Sequence, residues 1–201
     1  MDVHPIGTEL KCGKAPTLVK AIQFVSGSRG IGSSVDTCVD LNPVTYLAAA
    51  TYMESLLDDA ADVRTTGEIR AAAGDGRAGF IAVTDVAAAA ARVLTTNGHE
   101  DATYVLTGPE ALGYADIAAR FSAVFAWQVE YADLPKERER ELLLADGRTP
   151  WEADGAIERF DWIRQGGAGT VTGTVRELTG AGPRPIDQWL ADSRETFAGL
   201  P

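Results

Sequence analysis

Three glycines in the stretch FVSGSRGIGSSV, residues 24–35, have a spacing that could do chemistry. A glycine turn after an apolar strand lets backbone amides approach a pyrophosphate, and a following helix N-terminus favours its charge. Here the run is Gly27-Ser28-Arg29-Gly30-Ile31-Gly32, a GxxGxG pattern. It is neither GxGxxG nor GxxGxxG. A strand–helix–strand unit takes roughly 30 residues or more. Only ten residues separate Gly32 from Pro43, where the next apolar run opens. A glycine-rich loop at a strand end is therefore the first reading, and a pyrophosphate loop the second.

Other chemistries find less support. A tyrosine acting as general acid beside a lysine four residues on is absent: Tyr46, Tyr52, Tyr104 and Tyr114 all lack it, and Tyr131 has Lys136 five residues away across Pro135. Cys12, Cys38, His4 and His99 are too scattered for a zinc pattern, so no metal site is expected. Asp85, at a strand-to-helix corner, reads as a helix N-cap rather than a catalytic acid. Trp127, Tyr131, Trp151, Phe160 and Trp162 could line a cleft for a planar acceptor or form the core of a helical lobe. The run KERERE, 136–141, reads as a solvated helix face.

The elements that must position these residues follow from periodicity. VKAIQFVS (19–26) and PVTYLAAA (43–50) are short apolar runs that read as buried strands. Residues 51–67 carry Tyr52, Met53, Leu56, Leu57 and Ala60 at helical spacing. Gly74 and Gly76 mark a turn, AGFIAV reads as a strand, and an alanine-rich helix then runs to Asn97 and Gly98. ATYVL is a strand, and 113–127 is an amphipathic helix bearing Ile117, Phe121, Val124 and Phe125 on one side. After a short strand in QVEYADLP come helices over 136–147 and 151–167, the latter with Trp151, Ile157, Phe160 and Ile163 near one stripe. One or two closing helices flank a break at 180–185. Mixed elements followed by a helical cluster predict an α/β fold.

The chain has 201 residues, 45% of them hydrophobic and 23% charged, as an ordinary globular protein does. A formal net charge of −11 disfavours nucleic acid as a partner. No apolar run approaches the ~20 residues of a membrane span. The amino terminus, MDVHPIGTELKCGK, lacks the charged start and apolar core of a signal peptide, so the expected location is cytoplasmic.

From Pro43 onward the text resembles the second half of NmrA-like proteins, atypical short-chain dehydrogenase/reductase relatives. Their LPVTYLRPxYFMENLL is matched by NPVTYLAAATYMESLL (42–57). Their GEIRxPxGDGRxxFIDVRDIAxVAAxVLT is matched by GEIRAAAGDGRAGFIAVTDVAAAAARVLT (67–95), and GxTYxLTGPEALSxxDIAAxLS by DATYVLTGPEALGYADIAARFS (101–122). The tail 169–197 is similar to the family's closing helices, so the resemblance covers about 155 residues. It also re-reads the opening stretch: LVKAIQFVSGSRG resembles the family's fifth strand, with Ser26 at its end and the glycines as a shortened connection.

The resemblance implies a truncated Rossmann-like parallel sheet with a C-terminal helical substrate lobe. The expected divisions are an irregular segment 1–18, a partial NAD(P)-binding region 19–110 and a helical region 111–201, forming one compact domain. It implies NADP or NAD as cofactor, with Ser26, Gly27, Ala49, Tyr52 and Met53 on the cofactor side. Family members carry Arg-Pro where this chain has Ala48 and Ala49, which alters that wall. The implied function is NAD(P)H-dependent reduction of a small acceptor such as a quinone; the catalytic residue is not identified. The alternative is a non-catalytic NAD(P)-sensing or interaction protein, or an inactive truncated paralogue. A small-molecule acceptor and a homodimer are the expected partners, with neither nucleic acid nor membrane. Only about 42 residues precede the aligned region, so the phosphate-binding half is expected to be absent or vestigial.

Overall fold

The computed structural model describes residues 21–25 and 44–197. Strand β1 (Ala21–Val25) lies parallel to β2 (Val44–Ala49), and β2 lies parallel to β5 (Thr103–Leu106), giving the order β1-β2-β5. Val44 stands opposite Ala21 and Tyr46 opposite Thr103. Alternation along β2 turns Thr45 and Leu47 into the interior. Helix α2 (Val83–Thr95) covers that side with Val86, Ala89 and Val93, spaced three and four apart on one stripe. Helix α6 (Thr174–Thr179) adds Val175 and Leu178 to the same cluster.

A second, larger core is built around two smaller sheets. Strand β3 (Glu68–Ala71) pairs in parallel with β7 (Glu130–Asp133). The two-residue strands β4 (Arg77–Ala78) and β6 (Leu112–Gly113) pair antiparallel. Against them pack α1 (Ala60–Thr66), α3 (Tyr114–Phe125), α5 (Pro150–Arg164) and α7 (Ile186–Asp192), burying Phe80, Tyr114, Phe121, Phe160, Trp189 and Phe197. Helix α4 (Lys136–Ala145) lies against α5. Segments 19–110 and 111–201 interleave: β3 pairs with β7, and α6 packs on α2.

Four local expectations are corrected. AGFIAV is not a regular strand. Phe80, Ile81 and Ala82 are all buried without alternation, and Ile81 makes one isolated bridge to Tyr52. Backbone crowding explains this, since Gly108 donates its N–H to Gly79 O, and a Cβ on Gly108 would sit 1.7 Å from Phe80 O. The helix expected over 51–67 is broken into a 3₁₀ turn, Met53–Leu57, and α1, with Asp58 and Asp59 at the joint. Trp151 is 78% exposed, because the buried face of α5 is Ala153, Phe160 and Ile163 and the first turn runs past the core. Within KERERE, Glu139 is turned inward and only 6% exposed, so that face is not wholly solvated.

Candidate functional site

In an open α/β sheet, ligands sit beyond the carboxyl ends of the strands. Here β2 leaves the sheet through Ala49, Ala50, Thr51 and Tyr52. Ala50 N–H donates to Leu106 O at 2.9 Å, which keeps this exit tied to β5. Ile81 N–H then donates to Thr51 O, and Met53 N–H to Ile81 O, both at 2.9 Å. The segment 49–53 thus crosses from one core to the other. Ala49 and Tyr52 pack half-buried against the sheet cluster, whereas the Met53 side chain, 1% exposed, belongs to the lobe core. Burial, and then the charge of Glu54, holds the Tyr52 phenol above its ordinary value. It stays protonated at neutral pH and can donate a hydrogen bond. Ser26 and Gly27 lie outside the described residues.

The corner beside this edge is held by two carboxylates. Helix α2 has Ala82 as its N-cap and receives no side-chain cap from Thr84 or Asp85. Asp85 Oδ2 instead accepts the Arg184 N–H at 2.7 Å, just before α7. The α2 start is served by Glu54, whose oxygens accept the Val83 N–H at 3.1 Å, while Oε1 also accepts Trp189 Nε1–H at 3.2 Å. The Asp85 corner is architectural, by a different route from the expected cap. Across the edge, Thr107 is buried, and its Oγ1 accepts Thr172 N–H at 2.9 Å.

A second concavity of about 800 Å³ opens at the carboxyl ends of β3 and β7. Asp133 is its hub. Oδ1 accepts Gly74 N–H at 3.0 Å, Tyr131 O–H at 3.1 Å and Arg164 Nη2–H at 2.6 Å, while Arg164 Nε donates to Ala72 O at 3.0 Å. Gly74 has φ +54°, and its missing Cβ makes room for the Arg164 guanidinium. The turn glycines were legible in GDGR, but no spacing linked Gly74 to Asp133 or Arg164. Of the aromatic set, Phe160 is core, and Trp127 and Trp162 pack half-buried against it. Tyr131 stacks on Tyr114, with centroids 5.7 Å apart, and also lines the groove. Burial first, then its hydrogen bond to Asp133, raises the Tyr131 phenol well above its ordinary value.

No family model matches the chain. The (4-alkanoyl-5-oxo-2,5-dihydrofuran-3-yl)methyl phosphate reductase of Streptomyces griseus is 33% identical over 156 residues, 78% of this chain and 55% of that protein. The NAD(P)H azoreductase of Xenophilus azovorans is 31% identical over 153 residues, 76% of this chain and 54% of its own length. An NADPH-dependent quinone oxidoreductase from Escherichia coli, solved with NADPH, superposes with a TM-score of 0.69 at 27% identity, over 74% of this chain and 53% of that one. NmrA, a negative transcriptional regulator solved with NAD, shares the fold, with a TM-score of 0.51 and 17% identity, over 75% of this chain and 52% of its own. Over that span the chain is similar to these reductases and has the fold of NmrA. Its sheet is the Rossmann-like kind that the resemblance implied, and the chain spans about half the length of the curated relatives it matches. Among the described residues no helix is long and apolar enough to cross a membrane.

Proposed function

We propose that this chain carries the acceptor-side half of an NAD(P)H-dependent reductase of a small acceptor such as a quinone. The observation that supports this most is the parallel order β1-β2-β5, with β2 leaving through Ala49 and Tyr52 at the carboxyl edge. The reductases among its relatives are named for NAD(P)H and NADPH chemistry. At that edge Ala49 and Ala50 present only methyl groups, on which a planar ring can pack. Ser26, Gly27, Ala49, Tyr52 and Met53 are assigned to the cofactor, Met53 through its backbone, because its side chain is enclosed. Reduced nicotinamide, when bound, supplies a hydride. The chain's own part is to hold the ring side, shut out water through the buried Thr51 and Thr107, and present the protonated Tyr52 hydroxyl as a donor. The division near residue 110 separates cofactor from acceptor contributions in the primary sequence. A homodimer and a cytoplasmic location complete the reading.

Titration with NADPH and with NADH, followed by tryptophan quenching, tests this. Saturable micromolar binding and quinone-dependent loss of reduced nicotinamide are expected. Tyr52→Phe should slow turnover more than it weakens cofactor binding. Saturable binding without turnover of any quinone favours the sensing alternative; no binding at all removes the reading.

A further inference from the structure

Between the joint preceding α1 and the inner side of α4 lies a partly open cavity of about 300 Å³. Its acids outnumber its bases: Asp58, Asp59, Asp62, Glu139 and Asp146 face Arg70 and Arg148. Both arginines are already engaged, Arg70 by Asp62 and Arg148 by Asp58 at 2.8 Å. Among the described residues, Asp59, Glu139 and Asp146 have no ion-pair partner. Glu139 is the decisive member. It is buried, and its Oε2 has no hydrogen-bond partner. An unpaired acceptor in such a place is costly to the fold unless something donates to it. The remaining wall is apolar, formed by Ala61, Leu142 and Leu143.

We propose that this cavity binds a small primary alkylammonium ion, its ammonium donating to Glu139 and Asp59 and its alkyl stem lying on Leu142 and Leu143. An ammonium group brings three donors and no acceptor, which suits a wall of acceptors. A metal ion fits poorly: among the described residues no three metal-ligating side chains converge, and the space far exceeds a bare cation. Arg159, on α5 and not part of the cavity wall, acts on both carboxyls through its charge, while its own Nε has no hydrogen-bond partner.

The charge environment gives binding a pH dependence. Burial, followed by the charges of Glu139, Asp62 and Asp58, pushes Asp59 up to about 8 against the opposing Arg159. Burial also raises Glu139, helped by Asp146 and Asp62 and opposed by Arg70 and Arg159. Tyr114 stands beside the same charges from α3 and is raised chiefly by burial. Both carboxyls must lose protons to hold an ammonium, so binding releases protons and tightens with pH until the amine itself titrates, near about pH 10.

Calorimetric titration of the full chain with butylammonium chloride, at constant ionic strength, tests the site at about pH 6 and about pH 8.5. Saturable binding is expected, roughly tenfold or more tighter at the higher pH, with buffer-dependent heats that report proton release. Glu139→Gln and Asp59→Asn should each weaken it about tenfold or more, with melting temperatures unchanged or raised showing that both variants fold. No saturable heat at either pH, equal affinity in Glu139→Gln, or magnesium chloride displacing the amine would overturn the proposal.

Discussion

Leu47, Ile81, Leu106 and the alanine face of α2 make one core, whereas Phe80, Tyr114, Phe121, Phe160 and Phe197 make the other. The first is a single layer of small and aliphatic side chains, on one face of a three-stranded sheet. On β5 the neighbouring Val105 is 42% exposed, so among the described residues that strand is not covered on both sides as strands of parallel sheets usually are. The second is a web of rings: Phe121 meets Phe197 edge-on at 5.0 Å, and Phe80 meets Tyr114 edge-on at 5.7 Å. The contrast teaches where stiffness is placed. Ring contacts add about 0.5–1.5 kcal/mol each beyond their buried area, so the lobe acts as the anchor. The sheet side is held by smaller aliphatic side chains with no ring web of its own.

The sharpest way to break this comparison is to delete one large side chain from each core. Phe121→Ala should cost about 3–5 kcal/mol and Leu47→Ala about 2–3 kcal/mol in urea unfolding. A loss at Leu47 equal to that at Phe121 would mean that the sheet is the anchor instead. Next in size is a pH effect in the lobe. Asp59 has its folded value raised to about 8, against an ordinary 3.8. A group raised on folding contributes its full stability below the unfolded value and loses it as pH rises through the folded one. Stability should therefore fall, on the order of a few kcal/mol, between about pH 4 and about pH 8. Asp59→Asn should flatten that slope; an unchanged slope would remove the role given to this carboxyl.

A smaller effect tests the tie between the regions. Glu54 holds the start of α2 and the indole of Trp189, so Glu54→Ala should cost about 1–2 kcal/mol in thermal unfolding. The smallest expected effect is at the surface. Arg138 and Glu141 pair at 3.1 Å, both well exposed, and Glu141→Ala should change stability by no more than about 0.5 kcal/mol.

Much of the fold was legible because periodicity and burial coincide. The β2 run and the alanine-rich α2 form where the sequence reading put them, and α3 buries Ile117 and Phe121 as their spacing predicts. The misses have specific causes. Residues 78–83 look like one strand by composition, but two chain segments press together at Gly79 and Gly108, and the ladder that begins at Ala78 does not continue. Trp151 fits a helical stripe in the sequence, yet the helix outruns the core beneath it. Glu139 sits in a charged run that reads as solvent-facing, and only the packing of α4 shows one carboxylate turned inward. Near the candidate site, the place of Ala49 at the end of β2 and of Tyr52 just beyond it follows from the order of the chain, while the Asp133–Arg164 pair joins residues 31 apart and left no local signature.

Helix α6 seals the sheet cluster with Val175 and Leu178, which come more than 120 residues after β2 in the chain. During synthesis, then, the sheet has to wait for more than 120 further residues to leave the ribosome before its inner face is closed, while the earlier helices are already free. Nascent chains stalled before residue 174 should expose that face to a hydrophobic dye or a holdase chaperone, and chains released past 179 and clear of the exit tunnel should not. Equal capture of both lengths would show that the sheet settles without its last helix.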